Sequence, residues 1–257
     1  MPTDPRKNTA GVVVRAMAKE FGVRGGFDII IEKGVPAGFG MGSSAASAAA
    51  AAAAFDRLMG LGLDQVSLVR LAGKGEKASA GSIHYDNVAA SVMGGFVIVR
   101  EGPIVTRIPP PKRLAICVAI PDMKVPPSKT KVSRGVLPAR VGIRESVGNI
   151  SNAAAMAAGF AAGDPAAIGG AAIDCIAEPA RKRLIPGFDR VKSGALRAGA
   201  LGATISGAGP SVVAFLDGTS RLKKVGAAMS KGFQSAGLGC SIVGCRPCGG
   251  VRARRLR

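Results

Sequence analysis

The sequence is poor in aromatic side chains: it has no tryptophan, one tyrosine and nine phenylalanines among 257 residues. Aromatic side chains form most stacking platforms for single-stranded bases, so this scarcity argues against such a nucleic-acid binder. Acidic residues are also few, because 16 Asp and Glu face 35 Lys and Arg and leave a formal net charge of +19. That charge favours anionic partners in general. The basic residues are spread along the chain, so we expect small anions rather than nucleic acid as partners.

The chain has five cysteines, an odd number, and no basic start followed by an apolar run and a cleavage site. Secreted disulfide-rich proteins normally have an even number of cysteines, paired in disulfides, and begin with a signal peptide of that pattern. We therefore expect reduced thiols in a cytoplasmic protein. Cys245 and Cys248 have the spacing of many zinc ligands, with Cys240 nearby. The single histidine, His84, is far away in sequence and no second pair has this spacing. We therefore predict no zinc site.

No apolar run in the sequence is long enough to predict a membrane span. The nearest candidate is the alanine tract of residues 45–54, but alanine contributes little apolar surface. Asp56 and Arg57 end the tract before it reaches the roughly 20 residues that a spanning helix needs. We therefore expect no membrane partner, and we interpret the tract as a buried or close-packed helix.

The pattern along the chain predicts a mixture of helices and strands. Apolar periodicity predicts helices and β-branched runs predict strands. The predicted helices cover residues 9–21, 43–58, 63–77, 143–162 and 165–176, and the clearest strands cover 27–32, 96–100 and 241–245. The two types neither alternate strictly nor segregate, which is typical of an α+β fold. Composition changes at the prolines of residues 109–111, so we predict one domain over 1–110 and another over 111–257.

A glycine-rich stretch, VPAGFGMGSSAA over residues 35–46, precedes the alanine-rich helix. Its three glycines let the backbone approach a ligand closely. The unpaired N–H groups and the positive dipole end of the helix point at the loop, and Ser43 and Ser44 add hydroxyl groups. These features suit a phosphate, although the stretch is neither a Walker A loop nor a good Rossmann turn. The alternative is a turn that only caps the helix through one of the two serines.

This stretch resembles the ATP-binding motif of the GHMP kinases, the superfamily of galactokinase, homoserine kinase and mevalonate kinase. Three further stretches, GSIHYDNVAASVMGGFVIV, TISGAGPSVVAF and CIAEPARKRLIPGF, resemble the homoserine kinases in particular. The resemblance implies an α+β, two-domain GHMP kinase architecture with a ribosomal S5 domain 2-like N-terminal domain and a ferredoxin-like C-terminal domain. It also implies that the motif binds ATP through Pro36, Ala37, Gly38, Phe39, Gly40, Met41, Gly42, Ser43, Ser44, Ala45 and Ala46.

The resemblance implies a Mg²⁺ site and gives Ser44 and Glu76 catalytic roles there. Mg²⁺ takes oxygen ligands and bridges the phosphates of ATP in kinases. Glu76 lies eight residues before the histidine, as does the family's metal-binding glutamate. Without the resemblance, Glu76 would be interpreted as a solvated helix residue between Lys74 and Lys77.

The resemblance also implies a pocket for an amino-acid substrate. His84, Asp86 and Asn87 match the family's homoserine-binding residues, and a zwitterion needs both hydrogen-bond donors and acceptors. A lone histidine in a loop is otherwise most often a structural hydrogen-bonding group. Arg181 matches a catalytic arginine that holds the substrate carboxylate with two parallel hydrogen bonds. Its neighbour Arg183 is interpreted as a solvated residue.

Two further parts of the implied site lie later in the chain. Gly207 and Gly209 match residues that shape the loop beside the transferred phosphate, and the alternative is a tight structural turn. A second substrate-binding arginine falls near the end of the sequence, where Arg252 and Arg254 match it equally well.

The implied reaction is the ATP-dependent phosphorylation of L-homoserine by direct in-line transfer, a step of threonine biosynthesis, and no general base is assigned. The nearest alternative is another small-alcohol kinase, acting on shikimate or mevalonate, and the IHYDN sequence argues against it. The first residues resemble an internal stretch of the family, so we expect the opening strands and the first motif to be absent. A catalytically inactive ATP-binding relative is therefore a further hypothesis. The resemblance also makes a homodimer a candidate assembly.

Overall fold

The computed structural model describes residues 3–80, 85–126 and 129–255, apart from the side chains of residues 77–80. Contacts divide the chain into two compact units. The first comprises Met1–Ala37, Gly42–Arg107 and Cys248–Arg257, and the second comprises Gly38–Met41 and Ile108–Pro247. The boundary between the two long segments, after Arg107, falls near the predicted domain boundary at residue 110. Two short segments depart from a division at one boundary: Gly38–Met41 belong to the second unit and Cys248–Arg257 to the first. No change in composition predicts them. The functional division into 1–110 and 111–257 stays a prediction.

The described part of the first unit is mainly helical, with one hairpin. Its elements are α1 (Thr9–Glu20), α2 (Ser43–Met59), α3 (Gln65–Ala80), α4 (Tyr85–Met93), β1 (Phe96–Arg100) and β2 (Ile104–Ile108). Helix α1 begins after Asn8 because the side-chain oxygen of this residue accepts hydrogen bonds from the N–H groups of Ala10 and Gly11. Strands β1 and β2 pair with each other.

Helix α2 forms the centre of the first core and packs against α1, α3 and α4. Ala48 and Ala52 are fully buried and Phe55 is 2% exposed. Alanine has the highest helix propensity and the smallest side chain that can fill a close helix contact, so the tract makes a tightly packed helix, as predicted. Gly60 ends the helix with φ of 67°. Within the described residues, no helix combines the length and the apolar character needed to cross a bilayer.

The prediction of a strand over residues 27–32 is wrong. These residues form no strand, and the side chain of Ile30 is 92% exposed while that of Ile29 is 41% exposed. A β-branched run becomes a strand only when a neighbouring chain satisfies its backbone hydrogen bonds. No described residue forms a strand that pairs with this run.

The second unit contains a four-stranded antiparallel sheet. Its strands are β3 (Leu114–Pro121), β4 (Gly202–Ile205), β5 (Val212–Asp217) and β6 (Cys240–Cys245), in the order β4-β5-β3-β6. Central strand β3 pairs with β5 and β6, so that Cys117 lies opposite Ala214 and Val118 lies opposite Val243. Helices α9 (Phe188–Arg197) and α10 (Leu222–Gln234) pack against each other and on this sheet. This β-α-β-β-α-β order confirms the predicted ferredoxin-like domain.

An insertion of short and long helices separates β3 from α9. It consists of α5 (Lys129–Gly135), α6 (Ile143–Ala162), α7 (Pro165–Gly170), α8 (Ala177–Arg181) and a 3-10 turn at Lys182–Leu184. The prediction for α6 is confirmed at both ends. The predicted helix over 165–176 is too long, because α7 ends at Gly170. Gly169 lies against Leu201 with no room for a side chain, and Asp174 accepts backbone hydrogen bonds that start α8 instead.

We predict that the alanine content of α2 is required by packing rather than by helix propensity alone. The substitution Ala52→Leu adds volume at a fully buried position and should lower the free energy of unfolding by about 1–3 kcal/mol. Ala50→Leu, at an exposed position of the same helix, should change it by less than about 0.5 kcal/mol. Chemical denaturation followed by circular dichroism measures both values, and equal effects would contradict the packing argument.

Candidate active site

The glycine-rich loop leads directly into the first turn of α2. Gly42 is the N-cap residue with φ of 70°, and no side chain caps the helix within the described residues. The expectation that Ser43 or Ser44 is the cap is therefore wrong, because both residues already have helical conformation. Ser43 instead donates from Oγ to the carbonyl oxygen of Val35 at 2.7 Å. In the part of the chain that the structure describes, no side chain caps this first turn, which is the arrangement that binds phosphate groups at helix N-termini.

Lys33 places a positive charge beside the same helix turn. Its Nζ donates to the carbonyl oxygen of Ser43 at 2.8 Å and to Oγ of Ser47 at 2.6 Å. Burial lowers the pKa of this ammonium group below its ordinary value. A cation near the positive end of a helix dipole is unfavourable unless an anion binds between or beside them. Lys33 therefore also favours an anion site at this turn. The glycine-rich motif alone does not identify Lys33.

Residues 38–41 of the loop belong to the second unit, where Gly40 packs against the turn after β4. Oγ of Ser206 donates to the carbonyl oxygen of Gly40 at 3.0 Å. A Cβ atom at Gly40, whose φ is 77°, would overlap the carbonyl oxygen of Ser206 and lie 2.7 Å from that of Gly209. A Cβ atom at Gly207 would lie 2.7 Å from the carbonyl oxygen of Gly40. The two predicted glycine loops therefore contact each other, and only glycine fits at the contact.

Three side chains from the helical insertion hold the Ser206–Gly209 turn by its carbonyl groups. Nζ of Lys129 donates to the carbonyl oxygen of Gly209. Oγ of Ser133 donates to that of Ala208 at 3.0 Å. Arg181 donates from Nε to the carbonyl oxygen of Ser133 at 3.1 Å and from Nη1 to that of Gly207 at 3.2 Å. The predicted substrate residue Arg181 thus lies beside the predicted glycine turn.

The charges around this turn are mostly positive. Burial, together with the nearby charge of Arg181, lowers the pKa of Lys129 to about 8. Burial also lowers the pKa of Arg181. The negative charge of Asp174 opposes this shift, and the positive charge of Arg134 adds to it. An anionic group placed here would offset this repulsion. Lys129 and Arg134 were missed by the sequence analysis, although basic residues crowd the stretch KTKVSRG that contains both.

Four of the predicted residues in the first unit lie on helices: Ser44 on α2, Glu76 on α3, and Asp86 and Asn87 on α4. Glu76 is buried, with 6% of its surface exposed, so it is not the solvated helix residue that its lysine neighbours suggested. Asn87, in the first turn of α4, lies close to the N-cap of α2, since a Cβ atom at Gly42 would be 3.3 Å from its Oδ1. Oδ1 of Asp86 accepts a hydrogen bond from the N–H of Asn87 at 2.8 Å. Ser44 is half-buried in the first turn of α2.

His84 lies outside the described residues. The two candidate arginines near the end of the chain follow a segment that is fixed against α4, where the N–H of Val251 donates to the carbonyl oxygen of Ser91 at 3.0 Å. Arg252 and Arg254 are both exposed, so their geometry does not separate them. The structure therefore brings the predicted residues together in two groups. One joins Gly42 to Asn87, and the other joins the loop glycine at position 40 to the turn glycines and Arg181.

Comparison with known proteins extends these observations to the whole chain. Residues 8–95 match the model of the GHMP kinases N terminal domain, and residues 156–235 match that of the GHMP kinases C terminal domain. A homoserine kinase of Thermoplasma volcanium is 39% identical over 98% of this chain and 82% of its own length. A homoserine kinase of Halobacterium salinarum is 42% identical over 94% of this chain and 76% of its own length.

A solved structure gives the same result. The crystal structure of homoserine kinase from Cytophaga hutchinsonii superposes with a TM-score of 0.90 at 37% identity, covering 96% of this chain and 78% of that one. The fold and the glycine-rich site thus define a kinase of the GHMP superfamily, with the predicted α+β two-domain architecture confirmed. Within that superfamily, the chain belongs to the homoserine kinase family.

We predict that the contact at Gly40 is required for nucleotide binding. Gly40→Ala forces a Cβ atom into the turn carbonyls and should weaken the binding of Mg·ATP at least about tenfold, or 1.4 kcal/mol. Gly60→Ala is the matched control, because its φ of 67° imposes similar strain while nothing lies within 4 Å of the new Cβ. Isothermal titration with Mg·ATP or Mg·ADP measures the effect. Equal losses in the two variants would indicate general strain.

We also predict a basic limb in the pH dependence of ligand binding. The ammonium group of Lys129, with a pKa of about 8, is charged below that pH and neutral above it, so affinity for an anionic ligand should fall as the pH rises from about 7 to about 9. Lys129→Met should weaken binding at pH 7 and remove this limb. Lys131→Met, on the exposed side of the same helix, should keep it. A limb that survives in Lys129→Met would contradict the assignment.

Proposed function

We propose that this chain transfers the γ-phosphoryl group of ATP to the side-chain hydroxyl of L-homoserine and releases O-phospho-L-homoserine. The supporting observation is that proteins named homoserine kinase match almost the entire chain at 39–42% identity. The uncapped helix turn after the glycine loop and the cation-rich turn at residues 206–209 supply anion sites of the kind that this reaction requires. Phosphoryl transfer depends mainly on positioning and charge neutralisation, and both can come from these groups.

The donors that would hold Mg²⁺ are the hydroxyl of Ser44 and the carboxylate of Glu76. Both are oxygen ligands, as this ion prefers, and few protein ligands suffice because phosphates and water complete its octahedron. A buried carboxylate is rare unless a charge or hydrogen bonds compensate it, and Glu76 is buried. When bound, the ion would neutralise charge that develops on the phosphate oxygens.

In this mechanism the chain's own groups bind and orient the two substrates. The loop of residues 36–46 would surround the ATP phosphates, with the first-turn N–H groups of α2 donating to their oxygens. Arg181 would hold the homoserine carboxylate, and His84, Asp86 and Asn87 would contact its amino and hydroxyl groups. Gly207 and Gly209 let the turn approach the transferred phosphate. Arg252 or Arg254 would complete the carboxylate site.

The location and the partners follow from the same proposal. ATP and a free amino acid are cytoplasmic metabolites, so we infer a cytoplasmic enzyme of threonine biosynthesis with small-molecule partners. We keep the expectation that it binds neither nucleic acid nor a membrane. A homodimer remains a candidate assembly. Two competing functions are a kinase for shikimate or mevalonate and an ATP-binding relative without catalytic activity.

The deciding experiment is ADP release by the purified chain with Mg·ATP and, separately, L-homoserine, mevalonate or shikimate. We expect release with homoserine only. Release with another alcohol would reassign the substrate, and nucleotide binding without release on any alcohol would indicate an inactive relative. The position of the new phosphate on the product, read by ³¹P NMR, excludes simple ATP hydrolysis.

We predict that Arg181 affects the amino-acid substrate rather than the nucleotide. Arg181→Lys keeps the charge but loses the planar pair of donors, so KM for homoserine should rise by about one to two orders of magnitude, or 1.4–2.8 kcal/mol. KM for ATP should change less than about twofold. Arg183→Lys, an exposed neighbour, is the matched control. A rise in KM for ATP alone would place Arg181 at the nucleotide instead.

A further inference from the structure

Helix α8, which ends with Arg181, is too short to maintain its own direction. It spans five residues, and helices of this length are marginal in water without tertiary contacts. Its first turn is fixed by Asp174, whose Oδ1 accepts hydrogen bonds from the N–H groups of Ile176 and Ala177, both at 2.8 Å. The direction of the rest of the helix, and therefore of Arg181, depends on the contacts that its later residues make.

Glu178 fixes the middle of α8. Its side chain is only 12% exposed. Oε2 accepts a hydrogen bond from Oγ1 of Thr204 at 2.8 Å, and Oε1 accepts one from Nζ of Lys192. A carboxylate with so little access to water is stable only when it is paired and hydrogen-bonded. Because Thr204 lies on β4 and Lys192 lies on α9, Glu178 attaches α8 to both elements.

Glu178 and Arg181 lie on the same side of α8. Successive residues of a helix are separated by about 100°, so positions three apart differ by only about 60°. Glu178 contacts Thr204 in β4, and Arg181 donates from Nη1 to the carbonyl oxygen of Gly207 in the turn that follows this strand, at 3.2 Å. Helix α8 is therefore attached to the strand by one side chain and to the turn by the other.

The contacts of Arg181 with the protein leave part of its guanidinium group for a ligand. Nε donates to the carbonyl oxygen of Ser133 and Nη1 donates to that of Gly207. Among the described residues these are its two hydrogen bonds, so three of its five N–H donors remain. A planar guanidinium group holds a carboxylate with two parallel bonds only in the right orientation. A shift of α8 would thus weaken carboxylate binding without removing a charge.

We propose that Glu178 is a positioning residue: through its bond to Thr204 it sets the direction of α8, and thereby aims the guanidinium group of Arg181 at the carboxylate of the amino-acid substrate. The identity of that substrate rests on the proposed function, whereas the contacts themselves do not. Lys192 balances the charge of Glu178 and is itself fixed, since its Nζ lies 5.9 Å from the ring centroid of Phe188, a buried residue.

A purely structural role for Glu178 predicts different effects. A residue that only stabilises the second unit would lower the free energy of unfolding and would affect the use of both substrates alike. A positioning residue for Arg181 affects the amino-acid substrate selectively, and its effect disappears when Arg181 is replaced. These differences can be measured separately.

Two substitutions of Thr204 separate the hydrogen bond from packing. Thr204→Val keeps the shape of the side chain and removes the hydroxyl group, whereas Thr204→Ser keeps the hydroxyl group and loses a methyl group. We expect KM for homoserine to rise about fivefold to tenfold in Thr204→Val and to stay within about twofold in Thr204→Ser, with KM for ATP within about twofold in both. The opposite order of effects, or equal changes in the two KM values, would overturn the proposal.

A double substitution tests whether Glu178 acts through Arg181. Glu178→Gln alone should raise KM for homoserine about tenfold. Added to Arg181→Lys, it should raise KM by less than about a further twofold, because the planar group that it orients is already lost. Asp189→Asn is the matched control, since it breaks the neighbouring but exposed ion pair with Lys182 and should change KM less than about twofold. Effects of Glu178→Gln and Arg181→Lys that simply multiply would contradict the proposal.

A measurement on Arg181 itself requires no turnover. Its Nε–H is protected by the bond to the carbonyl oxygen of Ser133, and ¹⁵N NMR measures its exchange with water, with the signal assigned by its loss in Arg181→Lys. We expect exchange at least about tenfold faster in Thr204→Val and unchanged exchange in Thr204→Ser. If the unsubstituted chain releases no ADP with homoserine, the proposed function fails, but the exchange rates still decide the positioning role. Unchanged exchange in both Thr204→Val and Glu178→Gln would overturn it.

Discussion

The site depends on one close approach between backbones, that of Gly40 to the turn that includes Ser206, Gly207 and Gly209. The carbonyl and amide groups of the two loops occupy the space that any side chain would need. This contact fixes the glycine-rich loop within the second unit, and the next residues start α2 in the first unit. Arg181 holds the same turn from its other side, through a hydrogen bond to the carbonyl oxygen of Gly207. Packing of this kind has little tolerance because no side chain is present to adapt.

Electrostatics gives each of the two groups of site residues its chemical preference. Lys33 is partly desolvated beside a helix N-terminus, and Lys129 is desolvated beside Arg181. Each arrangement is unfavourable by itself, because burial and like charge both oppose the charged form. An anion that binds beside either cation would offset this cost. Pre-positioned charges of this type cost no reorganisation during a reaction, which suits the transfer of a highly charged phosphoryl group.

Local patterns predicted much of the fold and part of the site. The glycine-rich loop, the alanine helix and helix α6 follow from short-range propensity and periodicity, and the structure has them where expected. The strand at residues 27–32 failed because a strand depends on a partner that its own sequence does not encode. The cap of α2 was assigned to a serine because hydroxyl side chains usually cap helices, whereas here Ser43 bonds to Val35. Lys129 was missed because its role arises from a contact with Gly209, 80 positions away.

The crossing of the chain between the two units has a consequence for biosynthesis. Residues 248–251 lie against α4 and against Gly94 and Gly95 of the first unit, where a Cβ atom at Gly250 would overlap the backbone of Val92. Domains usually fold in order as they leave the ribosome, the N-terminal one first. This first unit cannot reach its final contacts in that order, because the segment that closes it is translated after the whole second unit. Synthesis of residues 248–251, rather than completion of residues 42–107, therefore sets the moment at which the first unit can make its final contacts.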